Sequence, residues 1–390
     1  MEEKIREFIQ SIQEEIIGIR RSIHQNPEVG METKETAKKV SEVLSKYHIE
    51  HRSIEDIGVI AEIRGEKTPS DAVIFLRADM DALPIREETG LSFASLSEGK
   101  MHACGHDIHT STLLGAAITL NQFREEFSGV VRFVFQPGEE ISEGARFMIR
   151  NGALDNVSVG FGLHVDPLKP AGVISYREGA DWAAVDHFEI KVKGRGAHGA
   201  TPQNGRDALV AASSLVMNLQ TLVSRSFNPI SPLLVTIGQF HAGSAYNIIS
   251  EEAILEGTVR YFDKEMRTEV PRVMERIVKG VCESFECGYE LKYDHIGKIT
   301  FNTPSAVRIL DKSAEKVFEK ENILEAPLEL IGEDFSEYAD IVPCVFAHLG
   351  ADGKYPLHNA HINFREEAIF YGISIEVQFA LDALNQNNQR

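Results

Sequence analysis

The run AVIFLRA at positions 72–78 is apolar but for one arginine, and it ends abruptly in DMDALP. A strand without polar alternation is buried on both faces, and such strands belong to parallel sheets covered by helices. VVRFVF (130–135) repeats the arrangement and ends in QPGEE. Between them HDIHTSTLLGAAITLNQF reads as a helix, and strand, helix, strand predicts a parallel crossover within an α/β sheet. VGFGLH (159–164) and VFAHLG (345–350) add two strands. Apolar residues at helical spacing predict surface helices over 1–24 and 32–47. A last helix is expected from Asn363, where Asn-Phe-Arg-Glu366 has capping-box spacing, to about Asn385.

The middle of the chain has a different rhythm. Residues 185–293 read strand, helix, strand, strand, helix, strand, the βαββαβ order of a ferredoxin-like α+β unit. A chain of 390 residues suits two cores. The expected organisation is therefore a discontinuous catalytic domain, 1–181 and 295–390, with a mixed, largely parallel sheet, and an inserted lid over 182–294. A net charge of -19 without a Lys/Arg cluster argues against nucleic acid as a partner. The first helix carries charges throughout, unlike a secretory signal, and no apolar run is long enough to cross a membrane. Four scattered cysteines (Cys104, Cys282, Cys287, Cys344) make no disulfide framework. A cytoplasmic location is the expectation.

Polar clusters gather where strands end: Asp79 and Asp81, Glu139 and Glu140, His164, and His358 beyond VFAHLG. That edge of an open α/β sheet is where ligands bind. The stretch MHACGHDIHT (101–110) joins them at the start of a helix. Each residue alone has an ordinary reading: a hydrogen-bonded histidine, a solvated glutamate pair, a loop cap, a small buried thiol. Convergence on one rim favours chemistry. Cys104-Gly-His106, taken as an extended segment, turns thiolate and imidazole to one side. With carboxylate and imidazole from other strand ends, this is a mixed S/N/O donor set for zinc, or for manganese, cobalt or nickel. More than four ligands from distant segments suit two divalent ions rather than one closed structural site. Of two adjacent glutamates, one can bind metal while the other serves as general base.

RADMDALP (77–84), MHACGHDIHT, FQPGEE (135–140), GLHV (162–165), GxxHGATP around His198, NIISEEAILEGTVR (247–260), GEDFSEYA (332–339) and PLHN (356–359) occur in order. Together they resemble the amidohydrolase group of dinuclear metallopeptidases: aminoacylases, hippurate hydrolases and plant hydrolases of auxin-amino-acid conjugates. The resemblance implies that Cys104, His106, Glu140, His164 and His358 bind two metal ions, with Cys104 bridging, and that Glu139 is the general base. Asp81 is implied to support a ligand, whereas the role of Asp79 stays open. His198 matches a lid residue that stabilises the oxyanion from a partner subunit, so a homodimer is expected. Asn247 and Arg260 match positions that hold the substrate's carbonyl or carboxylate. Gln203 stands where a histidine often follows the proline of HGAxP.

The implied reaction is hydrolysis of N-acyl amino acids by metal-activated water, releasing free amino acid and a carboxylic acid. A small peptide or an N-acyl-diaminopimelate is the alternative substrate. Two readings of other classes stand beside it. Cys104 at a helix start beside His106 has the setting of a nucleophile, and a metal-dependent binding module would use the same ligands without a base.

Overall fold

The computed structural model describes residues 2–387. In chain order the elements are α1 (Glu2–His24), α2 (Lys34–Lys46), β1 (Glu50–Ile54), β2 (Gly58–Arg64), β3 (Val73–Asp79), α3 (His106–Gln122), β4 (Val130–Gln136), α4 (Gly144–Arg150), β5 (Val157–Asp166), β6 (Ile174–Tyr176) and β7 (Gly179–Trp182). Then follow β8 (Ala184–Lys193), β9 (Ala197–His198), α5 (Ala208–Thr221), β10 (Leu233–Ala242), β11 (Ile248–Ile249), β12 (Glu252–Tyr261), α6 (Met266–Ser284) and β13 (Gly288–Gly297). The chain closes with β14 (Thr300–Asn302), α7 (Pro304–Val317), β15 (Ile323–Glu325), α8 (Ser336–Ala339), β16 (Cys344–Gly350) and α9 (Glu367–Asn387).

One compact unit comprises Met1–Asp181, Thr300–Pro327 and Glu333–Arg390; the other is Trp182–Ile299 with Leu328–Gly332. The first holds an eight-stranded sheet in the order β1-β2-β4-β3-β5-β16-β6-β15. Its centre, β4-β3-β5-β16, is parallel, and antiparallel pairs flank it. This is an α/β fold with a mixed, largely parallel sheet. Every residue of β3, β4 and β16 is buried, which is what an unalternating sequence demands. Helix α3 is buried from His106 to Leu120 and packs between α1 and α9. A methyl group on its Gly115 would stand 2.4 Å from Ile373, so only glycine permits the approach to α9.

The second unit has a four-stranded antiparallel sheet in the order β10-β12-β8-β13. Burial alternates along β8, so one face is packed and the other is not. This unit runs past the expected boundary at 294, because β13 continues to Gly297 along β8. It also recruits Leu328–Gly332, whose Ile331 carbonyl accepts the Ala183 N–H at 2.9 Å. The expected cap of the last helix is absent. Glu366 turns instead to Arg21, whose Nε and Nη2 donate to its two oxygens at 2.9 and 2.7 Å, and the helix begins one residue later. No helix among the described residues is long and apolar enough to cross a membrane.

Candidate metal centre

The carboxyl ends of β3, β4 and β5 deliver Asp79 and Asp81, Glu139 and Glu140, and His164 to one place. Cys104 and His106 arrive by a turn rather than an extended segment, which corrects the expected geometry. Gly105 adopts φ 89° as the residue before α3, and a Cβ there would lie 2.2 Å from Val165. Left-handed backbone and lack of space both require glycine.

The five expected ligands fall into two groups of mutually close donor atoms: Cys104, His106 and His164 in one, Cys104, Glu140 and His358 in the other. Cys104 is common to both. Its Sγ lies 3.5 Å from His164 Nε2, and Glu140 Oε1 lies 3.5 Å from His358 Nε2 and 3.9 Å from His106 Nε2. His358 is itself at φ 64° and its N–H donates to the Ala103 carbonyl at 2.9 Å, tying its loop to the cysteine segment. With half its side chain exposed, His358 marks the open side of the centre.

Backbone carbonyls set the tautomers. A carbonyl only accepts, so His106 Nδ1 carries the proton it shares with Asp81 O at 2.8 Å, and His164 Nδ1 the one it shares with Val165 O at 2.8 Å. Each ring therefore turns an Nε2 lone pair inward, as metal-binding histidines do. His106 Nε2 and Glu140 Oε1 are buried without a hydrogen-bond partner. His109 is the counter-example: Nδ1 donates to Asp79 Oδ1 at 2.6 Å and Nε2 accepts the Val165 N–H at 2.9 Å, which leaves no lone pair for a cation. Asp79, whose role the sequence leaves open, also receives Arg77 Nη1 on its other oxygen at 2.7 Å. Asp81 accepts the N–H groups of Glu139 and Glu140, at 3.0 and 3.2 Å, on its two carboxylate oxygens.

The charge balance bears on what the centre suits. Burial pushes the Cys104 thiol well above its usual range, and Glu140, Glu139 and Asp79 push it further. Glu139 is likewise driven well above the carboxylate range by burial and by Glu333, Glu140, Asp334 and Asp79. Burial would lower His106, but Asp79, Asp81 and Glu140 outweigh it and raise the imidazole to about 10. Cys104, Glu139 and His106 thus lean toward holding protons because carboxylates crowd them. Burial opposes the charge of Asp79 and Glu140, yet neighbouring imidazoles hold both below the usual carboxylate range, and burial with His109 keeps His164 well below its own. Inward lone pairs, orphaned donor atoms and surplus negative charge together fit divalent cations, and a raised thiol opposes the reading of Cys104 as an activated nucleophile.

In the second unit His198 ends β9, which pairs with β11 so that His198 stands opposite Ile248. His198 is exposed, and with Asn247 it lines an open groove that also takes in His241 and Ser244. Its Nδ1 accepts the Ala200 N–H at 3.0 Å, so the proton sits on Nε2, pointed away from its own backbone. Arg260 is outside the residues lining that groove; its Nη1 donates to Thr258 Oγ1 and to the Val259 carbonyl.

Residues the sequence reading missed stand directly behind the centre. Arg77 is buried, and its Nη2 reaches Glu333 at 2.9 Å and Asp334 at 2.8 Å. The signal was available: a charged residue inside an apolar strand must be paired.

The model of peptidase family M20/M25/M40 matches residues 75–382. An N-acetylcysteine deacetylase of Bacillus subtilis is 39% identical over 357 residues, covering 91% of this chain and 93% of that one. An N-acetyldiaminopimelate deacetylase of Enterococcus faecalis is 36% identical over 370 residues, 93% and 96% of the two chains. The crystal structure of a dinuclear metal-binding M20 peptidase from Bacillus subtilis superposes with a TM-score of 0.87 at 35% identity, covering 96% of this chain and 99% of that one.

Proposed function

This chain belongs to peptidase family M20/M25/M40, and from that premise we propose how its residues divide the work of a metal-dependent amidohydrolase acting on N-acyl amino acids. Relatives named as deacetylases of acylated amino acids support the reaction. The observation that carries the assignment is the pair of donor groups sharing Cys104, with Glu139 beside them: its Oε2 lies 4.0 Å from His106 Nε2.

Cys104, His106 and His164 would hold one divalent cation, and Cys104, Glu140 and His358 the other, with zinc, manganese, cobalt or nickel as candidates. Bound there, the cations would supply Lewis acidity to the scissile carbonyl and to a water. Glu139 accepts the proton of that water as its oxygen bonds to the amide carbon. It then returns the proton to the nitrogen as the C–N bond breaks, giving a carboxylic acid and a free amino acid. Asp81 keeps both glutamates and His106 in place. His198, which carries its proton on Nε2, would donate to the oxyanion from a partner subunit, and Asn247 and Arg260 would hold the substrate's carbonyl or carboxylate.

The second unit then acts as a ferredoxin-like lid and as the contact of a homodimer. Supporting that contact, β10 is an edge strand carrying exposed Leu234 and Phe240, and α5 exposes Leu209, Val210 and Met217. Four free, buried cysteines accord with a cytoplasmic setting. The Enterococcus relative keeps N-acyl-diaminopimelate as a second substrate reading.

The deciding experiment loads metal-depleted protein with zinc, manganese, cobalt or nickel. It then assays N-acetyl, N-benzoyl and long-chain N-acyl amino acids, an N-acetyl-diaminopimelate and a dipeptide. Release of free amino acid with at least one cation is expected; silence on the whole panel overturns the reading.

A further inference from the structure

The motif GEDFSEYA has no part in the division of labour above, yet its Glu333 and Asp334 lie against the base. The carboxylates of Glu139, Glu333 and Asp334 stand within 4.8 Å of one another. Three buried acids of this kind could suggest another cation site, but the cation is already there. Arg77 Nη2 donates to Glu333 Oε1 and Asp334 Oδ1, Nη1 to Asp79, and Nε to Gln136 Oε1 at 2.9 Å.

Asp334 does more than pair with this arginine. Glu139 and Glu140 ride on the segment 137–143, between the last residue of β4 and the first of α4. Gln136, just before that segment, donates its Nε2 to both Asp334 oxygens, at 2.8 and 2.9 Å. Ala145, just after it, donates its backbone N–H to Asp334 Oδ2 at 2.9 Å. Gln136 Oε1 is held in turn by Arg77 Nε and by Tyr338 OH at 3.0 Å, so its amide cannot turn over without losing bonds. Arg77, Gln136 and Asp334 are all buried. One carboxylate thus fastens both ends of the segment, while Asp81 fastens its middle through the N–H groups of Glu139 and Glu140.

We propose that Asp334, itself fixed by Arg77, is a positioning residue that sets the loop carrying Glu139 and Glu140 relative to the cation ligands. The inference rests on the assignment of those glutamates as base and ligand. A carboxylate is needed because the three groups facing it (Gln136 Nε2, Ala145 N–H, Arg77 Nη2) are all donors. An asparagine of equal size offers one acceptor oxygen and one NH₂ that meets donors head-on.

The test uses the full-length protein loaded with cobalt, in three forms: unaltered, Asp334→Asn and Gln136→Met. Both variants should lose about 10 to 100-fold in kcat, the scale of a displaced supporting residue, with KM held within about threefold. The visible cobalt spectrum should shift in both, because Glu140 moves with the loop. A residue that only braced the fold would lower the unfolding temperature and leave kcat and the spectrum of the folded protein unchanged; that result overturns the proposal. Should Asp334→Asn fail to fold, Gln136→Met decides alone, since it keeps Asp334 bound to Arg77 and Ala145. Failure of both to fold also overturns it, by making the network a support of the whole sheet. If the unaltered protein hydrolyses no N-acyl amino acid, the functional reading fails, and the cobalt spectra still judge the clamp.

Discussion

His106 and His198 are two histidines marked for the same chemistry, and their surroundings are opposite. His106 is fully buried and gives its Nδ1 proton to a carbonyl, so it offers a lone pair. His198 is exposed and accepts a hydrogen bond on Nδ1 from a backbone N–H, so it offers a proton on Nε2. One ring is suited to a cation and the other to an anion. The backbone chooses between these roles, through a carbonyl in one case and an amide in the other. The ring of His106 is also wholly buried among its neighbours, whereas that of His198 is held by one bond to a residue two positions along. Loss of a proposed ligand such as His106 should therefore disturb binding of cations, and loss of His198 should disturb only turnover.

The largest effect expected is that of emptying the centre. Treatment with a chelator should reduce amidase activity by about a thousandfold or more, given that bound cations supply several kcal/mol to such reactions, and added cation should restore it. His106→Ala should bring the same loss without rescue, with cation content measured by mass spectrometry falling in parallel. Next in size is Glu139→Gln, for which kcat should drop about 100-fold or more while both cations stay bound. An unaltered kcat would remove Glu139 from the role of base; loss of cations would move it among the ligands. Third, His198→Ala should lower kcat by up to about 100-fold, the lower range for an oxyanion donor. Cation content and unfolding temperature should remain those of the unaltered protein. If His198→Ala loses cations, the contrast between the two histidines fails.

The same contrast explains how much was legible in the sequence. Strands β3, β4 and β16 announce themselves because burial on both faces removes every polar residue but Arg77, Arg132, Asp79, Gln136 and His348, and the polar rim begins where the apolar run stops. Candidate ligands at strand ends are readable for that reason. Direction is not readable. Cys104 and His106 meet through a left-handed Gly105, and the αL turn leaves no periodic trace in neighbouring residues. Strands β6, β7, β9, β11, β14 and β15, of two to four residues each, are too short to show any alternation. The long-range partners of Arg77 and Glu366 escape as well. A carboxylate finds its guanidinium across 256 positions in one case and 345 in the other, and no local pattern encodes such pairing.

A second buried network gathers around Asp107, the residue after His106. Asp107 accepts from Arg20 Nε at 2.6 Å and from His24 at 2.9 Å, and Arg20 and Asp107 are wholly buried. The pair joins α1 to the first turn of α3, the helix that His106 begins. Asp107→Asn leaves the buried Arg20 guanidinium with only its longer contact to Glu366, 3.3 Å from Nη1, and should cost up to about 3–5 kcal/mol, the scale for removing one partner of a buried pair. Denaturant unfolding of cation-free protein should show that loss. If stability is unmoved, rigidity around His106 comes from the backbone alone.

The smallest effect is the pH dependence of that network, and its direction differs at its two ends. Burial opposes the charge of Asp107, but Arg20 and His24 outweigh it and hold the carboxyl far below its usual range. A carboxylate depressed in the folded state stabilises above its unfolded pKa, about 3.9, and this contribution drains away as pH falls below it. Burial likewise opposes the charge of His24, yet Asp107 and Glu87 prevail and raise it. Its contribution is complete below about 6.5, the unfolded value, and is lost as pH rises through the higher folded pKa. Between those limits both groups are charged and paired, so the network contributes most from about pH 4 to 6.5. Subtracting the stability of a His24→Gln protein from that of the unaltered protein, both without cations, isolates the upper limb. That difference should be flat from pH 5 to 6 and should shrink above pH 7. A difference that grows with alkalinity would mean that His24 is neutral in the fold and that Arg20 alone balances Asp107.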